Sequence, residues 1–138
     1  MITAYTDGGS RGNPGPAGYG VRIEAGDGRL LAELHGALPS ATNNVAEYRG
    51  LIAALTWALD HSEPEVLIRS DSELLVKQMR GEYRVKHPGL QPLFAEAREL
   101  AARLSRVRFE HVRRELNKEA DRLANLAMDE AAAAQPKG

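Results

Sequence analysis

The chain contains no cysteine, which excludes disulfides, thiolate zinc sites and cysteine nucleophiles; any metal it binds must be held by oxygen or imidazole ligands. Its longest apolar runs are far too short to cross a bilayer. Met1 leads into a polar, strand-like segment ending at Asp7, not into a basic start followed by an apolar stretch and a cleavage site. A cytoplasmic protein with no membrane association is therefore expected. Aromatic residues are scarce at 5%, and the single tryptophan, Trp57, falls in a helical segment, where it reads as core and not as a base-stacking platform. Excess charge is missing too: a formal net charge of −1 argues against a bulk electrostatic grip on nucleic acid, but permits local basic patches.

Such patches are present. Lys77, Arg80, Arg84 and Lys86 face only Glu82 between positions 77 and 88, and Arg103, Arg106, Arg108, Arg113 and Arg114 face only Glu110 between 103 and 114. Each reads either as phosphate contacts or as an ordinary solvated face. The 138 residues, 43% hydrophobic and 27% charged, suit one globular core, since a domain averages roughly 150 residues. The sequence predicts one domain over residues 1–130 and a flexible tail over 131–138.

Residues 2–7 read as a strand stopping at Gly8-Gly9, with a loop crowded by Gly12, Asn13, Pro14, Gly15, Pro16 and Gly18 after it. Two more strand-like runs, 19–24 and 30–35, flank a turn holding Asp27-Gly28, a hairpin signal. From 45 to 60 the period becomes helical, with Tyr48, Leu51, Ile52, Leu55, Ala58 and Leu59 on one stripe. A strand at 65–70, helices at 72–79 and 93–104, a strand at 107–112 and a helix at 117–131 complete the order. The expected architecture is a mixed α/β sheet domain.

Four carboxylates stand at privileged places. Asp7 and Asp71 close two candidate core strands, where α/β sheets put ligand sites. Glu47 shares the inward stripe of Leu51, Leu55 and Ala58, and Asp121 precedes Ala124 and Met128 at helical spacing. Singly, each has a plainer reading. Asn44-x-x-Glu47 and Ser70-x-x-Glu73 resemble capping boxes, Asp7 before two glycines suits a turn, Asp71 suits a helix N-terminus, and Asp121 suits a pair with Arg122 or Arg114. If all four converge, each pair near 4 Å costs ~4 kcal/mol at an effective dielectric of about 20. The cluster must then take up protons or bind a hard divalent cation, Mg2+ or Mn2+. Such a site suits phosphoryl transfer, and its natural substrate is a phosphodiester.

Five motifs in order carry a resemblance: Tyr5-Thr6-Asp7-Gly8-Gly9-Ser10, Gly12-Asn13-Pro14-Gly15-Pro16-Ala17-Gly18-Tyr19-Gly20, Thr42-Asn43-Asn44-Val45-Ala46-Glu47, Ser70-Asp71-Ser72 and Asn117-Lys118-Glu119-Ala120-Asp121. The chain resembles ribonuclease H of the type-one branch, in its short-loop, handle-less subgroup. The resemblance implies a five-stranded mixed sheet, three antiparallel strands then two parallel, with helices on both faces. It implies an endonuclease that hydrolyses the RNA strand of an RNA·DNA hybrid by two-metal-ion catalysis, leaving 5′-phosphate and 3′-hydroxyl. The implied ligands of two Mg2+ ions, with Mn2+ as substitute, are Asp7 between the metals, Glu47 and Asp71 toward one and Asp121 toward the other. Glu47 is further implied to bond the ribose 2′-hydroxyl. Gly8, Asn13, Thr42, Asn43, Asn44 and Ser72 are implied substrate contacts. The hybrid duplex is the one partner expected, with a monomer acting without a required protein partner.

Three departures from the family pattern stand out. No histidine occupies the loop before the last acid; Arg114 lies there instead and, always protonated, is suited to hold phosphate and not to act as a base, while His111 in the preceding strand reads as structural. Glu73 replaces an amide and either alters minor-groove contacts or completes a cap with Ser70. Residues 81–92, with Tyr83, Arg84, Lys86 and His87, are too short for the basic handle, so weaker binding and modest salt sensitivity are expected. The alternatives are a related metal nuclease with double-stranded RNA or DNA activity and a catalytically weak hybrid-binding module. A nucleotide cradle at Gly12–Gly18 is disfavoured, because two prolines remove donors and no helix follows.

Overall fold

Buried and half-buried residues alternate along β1 (Ile2–Ser10), which places Ile2, Ala4 and Thr6 on one inward face. It pairs antiparallel with β2 (Gly15–Glu24), and β2 pairs antiparallel with β3 (Leu30–Ala41). After α1 (Asn43–Asp60), β4 (Glu65–Ser70) lies parallel to the other side of β1, and β5 (Arg106–His111) lies parallel to β4. Between β4 and β5 come α2 (Glu73–Met79) and α3 (Gln91–Ala102). A single 3-10 turn, Arg114–Leu116, then leads into α4 (Lys118–Ala133). The sheet order β3-β2-β1-β4-β5 in this computed structural model, which describes residues 1–135, is the mixed sheet the sequence led us to expect.

Two helices pack on opposite faces, and glycines let them come close. A Cβ on Gly8 would stand 2.4 Å from the backbone of Ala46 and Glu47 in α1, whereas one on Gly20 would stand 2.4 Å from the Ala120 carbonyl oxygen in α4. Neighbouring β1 residues point to opposite faces, and Gly20 faces Asp7 across the ladder. Asp7 therefore lies on the α4 side and Gly8 on the α1 side. On the α1 side, Tyr48, Leu51 and Leu55 pack against Val21, Ile23, Val66 and Ile68. Each such aliphatic side chain, removed from water, contributes ~1.5–3 kcal/mol. Buried Ala120, Ala124, Ala127 and Ala131 give α4 a face flat enough to lie on the glycines of β2.

Some expected boundaries move. β1 does not stop at Gly8-Gly9: Gly8, Gly9 and Ser10 continue the ladder opposite Tyr19, Gly18 and Ala17. The glycine- and proline-rich segment is thus mostly strand, and Asp7 is not a terminal strand residue. The expected tail at 131–138 is corrected as well, because α4 continues to Ala133 with Ala131 buried at 2% exposure; positions 136–138 lie outside the described residues. His111 lies in the strand as expected, exposed as the last residue of β5. Trp57 is half-buried against the core and stacks on His61, ring centres 3.9 Å apart.

Candidate active site

Parallel pairing between β1 and β4 ends at Thr6 and Ser70. The residue that follows each is an aspartate, Asp7 within β1 and Asp71 just past the end of β4, so the two stand side by side where the strands part, the usual ligand crevice of an α/β sheet. α1 delivers the third acid. Thr42 caps this helix, its Oγ1 accepting from the Val45 N–H at 3.2 Å, and the missing Cβ at Gly8 allows the first turn, with Glu47, to rest on β1. α4 delivers the fourth. The Asn117 amide donates to the Thr6 carbonyl at 2.9 Å, and the Asp121 N–H donates to the Asn117 carbonyl at 3.1 Å, so the helix start is tied to the residue preceding Asp7.

All four acids line one cavity of about 560 Å3, together with the expected Gly8, Asn43, Ser72 and Arg114. Proximity and burial act strongly on their protons. Asp7 is pushed up to about 8, first by burial and then by the Asp71 charge, against a pull from the Gly8 N–H, with Asp121 adding to the rise. Burial pushes Glu47 up to about 7, with Asp71 adding to the rise and a hydrogen bond from Ser72 opposing it. Asp71 is raised by burial and by Asp121, against the guanidinium of Arg114. Arg114 places Nε 4.0 Å from Asp71 Oδ2 while its side chain is 87% exposed, which leaves it free to swing toward an incoming anion.

Asn13, Thr42 and Asn44 are not brought into this cavity. They line an adjoining hollow of about 240 Å3, shared with Asn43, His87 and Leu90. Asn13 Oδ1 accepts from the Asn43 N–H at 2.9 Å, and Asn43 Oδ1 accepts from the Ser10 N–H at 2.8 Å, which braces the β1–β2 turn against α1. Neither suspected capping box forms. Thr42 and not Asn44 caps α1; Ser72 caps α2 by accepting from the Leu75 N–H at 3.3 Å, and Ser70 accepts from the Ser72 N–H. Glu73 instead pairs with Lys77 at 2.7 Å, and Arg122 pairs with Glu33 and Glu119 rather than with Asp121. Sequence reasoning missed Arg11, Asn125 and Met128, which also line the acid cavity. The spacing of Asn125 and Met128 from Asp121, one and two helical turns, was the available signal.

The donor set is all oxygen, and Arg114 is the one cation paired with these acids among the described residues. Without further positive charge the cluster holds a proton on Asp7 near neutral pH. Among the described residues, no three carboxylates or imidazoles are set around a single point as a closed metal cage. Mg2+ keeps several waters and commonly takes one or two carboxylates plus substrate phosphate oxygens, so an open, acid-lined cavity fits it without such a cage.

A reverse transcriptase-like family model matches residues 5–127. LC11-RNase H1, isolated from compost by a metagenomic approach and solved in complex with an RNA/DNA hybrid, superposes on this chain with TM-score 0.89 at 44% identity, covering 96% of this chain and 99% of that one. RNase H1 of the archaeon Halobacterium salinarum NRC-1 gives TM-score 0.90 at 43% identity, covering 94% and 98%. The chain belongs to the ribonuclease H family. Another member of this ribonuclease H group is a bifunctional protein of Mycobacterium tuberculosis, 53% identical over 132 residues that cover 95% of this chain and 36% of that protein. Its N-terminal RNase H domain, solved fused to maltose-binding protein, gives TM-score 0.93. The present chain thus spans about a third of that relative's length.

Proposed function

We propose that this chain is a metal-dependent ribonuclease H that hydrolyses the RNA strand of RNA·DNA hybrids by two-metal-ion catalysis, leaving 5′-phosphate and 3′-hydroxyl ends. The observation that carries this reading is the meeting of acids from β1, α1, the β4 end and α4 in one cavity, where burial and its acidic neighbours Asp71 and Asp121 push Asp7 up to about 8. The substrate is supported by the hybrid bound to LC11-RNase H1. Two Mg2+ ions, replaceable by Mn2+, would be held by Asp7, Glu47, Asp71 and Asp121. When bound, such cations supply Lewis acidity toward the scissile phosphodiester.

The side chains divide the remaining work. Asp7, raised by its neighbours Asp71 and Asp121, would help to hold both cations. Glu47, which shares the cavity with Ser72, is available to a ribose 2′-hydroxyl, which DNA lacks. The exposed guanidinium of Arg114, beside Asp71, holds phosphate. Gly8, Asn43 and Ser72 face the substrate in the cavity, while Asn13, Thr42 and Asn44 offer polar contacts from the adjoining hollow. The proposal includes a monomer acting without a required protein partner, with a catalytic domain that runs through the end of α4 at Ala133. It also includes a cytoplasmic location, for which the cysteine-free composition is the support.

Matched fluorescent duplexes test the reading: RNA·DNA, RNA·RNA, DNA·DNA and DNA with one embedded ribonucleotide, each with Mg2+, Mn2+ or chelator. Cleavage of the RNA·DNA hybrid with either metal and none in chelator is expected. DNA·DNA cut at a comparable rate would reject it, and preferential RNA·RNA cleavage would shift the assignment to a double-stranded RNA nuclease.

A further inference from the structure

The acid cavity continues along α4 beyond the acids. Asn125 and Met128 line it after Asp121, and seven residues of helix rise ~10 Å, long enough for a nucleic-acid backbone to present another phosphate beyond the scissile one. At this end stands Arg11, one of the two cationic side chains among the described residues that line the cavity; the other is Arg114, beside Asp71.

The backbone beneath Arg11 is fixed. Its N–H donates to the Pro16 carbonyl at 2.9 Å, and the Ser10 N–H donates to Asn43 Oδ1. The guanidinium pairs with Asp129 on α4, Nη2 to Oδ1 2.5 Å, with side chains 45% and 65% exposed. A pair this open to water contributes little to folding and exchanges readily for another anion. A guanidinium matches phosphate geometry with two parallel N–H donors. The carboxylate of Asp129 therefore keeps Arg11 at the cavity edge and competes with phosphate for it.

We propose that Arg11 is a second phosphate subsite, taking a backbone phosphate of the hybrid that flanks the scissile one, with Asp129 as the tether that yields to it. The inference rests on the ribonuclease H reading. It is tested by steady-state cleavage of an RNA·DNA hybrid in Mg2+ over a KCl series, using wild type, Arg11→Ala, Asp129→Asn and the double variant, alongside the melting temperature of each.

Arg11→Ala is expected to raise KM roughly fivefold, with the larger effect in KM than in kcat, and to reduce the log-log salt slope of kcat/KM by about 1. Asp129→Asn is expected to lower KM, because the competing anion is gone. The double variant should match Arg11→Ala, since Asp129 acts through Arg11. An unchanged salt slope in Arg11→Ala overturns the proposal. So does a matched rise of KM and fall of melting temperature in both single variants, which would make the pair a brace between the β1–β2 turn and α4. Wild type that fails to cleave the hybrid at any salt concentration would instead sink the ribonuclease H reading, and the subsite with it.

Discussion

Replacing Asp7 by asparagine should destroy activity and yet stabilise the metal-free protein. Asp7 rises from 3.8 to about 8 on folding, chiefly through burial and the Asp71 charge. At 1.36 kcal/mol per pKa unit, a shift of this size corresponds to ~6 kcal/mol at full desolvation. The cavity is open to solvent, and discounting for screening leaves about 2–3 kcal/mol. A carboxyl raised in the folded state favours folding fully below its unfolded value of 3.8, and that contribution is lost as pH rises through about 8. Glu47 adds a loss of the same sign, from 4.5 up to about 7. In chelator the wild type should therefore lose stability from pH 5 to pH 8, and Asp7→Asn should lose less. For a chain of this length the gap at pH 8 should be on the order of 5–10 °C in melting temperature, shrinking toward zero near pH 4. Saturating Mg2+ should narrow it at pH 8 by stabilising wild type preferentially. Thermal denaturation followed by circular dichroism measures each quantity. A variant no more stable than wild type at pH 8 in chelator, or a gap independent of pH, would refute the argument that these acids repel one another.

Asn117→Ala removes the donor to the buried Thr6 carbonyl and should cost about 1–3 kcal/mol in denaturant titration; kcat should fall further than in Leu55→Ala, a core variant away from the acids, and an equal or smaller fall would make Asn117 merely structural. Gly8→Ala puts a Cβ 2.4 Å from the Glu47 nitrogen, so α1 must move off β1; melting should drop and hybrid cleavage should fall steeply, and near-wild-type turnover would contradict this account of how Glu47 is delivered. With only short basic segments in place of a handle, hybrid binding should show a shallow log-log salt slope, and a slope approaching about −10 would contradict it.

The fold was legible because hydrophobic period changes cleanly from strand-like to helical at Val45 and back again at Val66. The strand that outran its expectation did so for a tertiary reason. Gly8, Gly9 and Gly18 are poor strand formers alone, and they are held in the ladder because α1 and α4 need their empty Cβ positions. Ala131 read as tail by composition, whereas its burial depends on the sheet beneath it. Asp71 was legible from its place just past a strand end and Glu47 and Asp121 from helix positions, whereas the strand-end reading found Asp7 even though β1 runs on past it to Ser10. Local rules misassigned their neighbours: both capping boxes were sound sequence patterns, but the helices start at Thr42 and Ser72, where the chain leaves β3 and β4. Arg11 and Asp129 lie 118 positions apart, and no local pattern signals their pairing.

Manganese scattering reveals whether these carboxylates jointly hold divalent cations. Crystals soaked in Mn2+ and measured at the metal's absorption edge should show an anomalous peak within about 2.5 Å of an Asp7 oxygen and of an oxygen from Glu47, Asp71 or Asp121. A soaked crystal without density beside Asp7, or with its manganese bound elsewhere on the surface, would contradict the account.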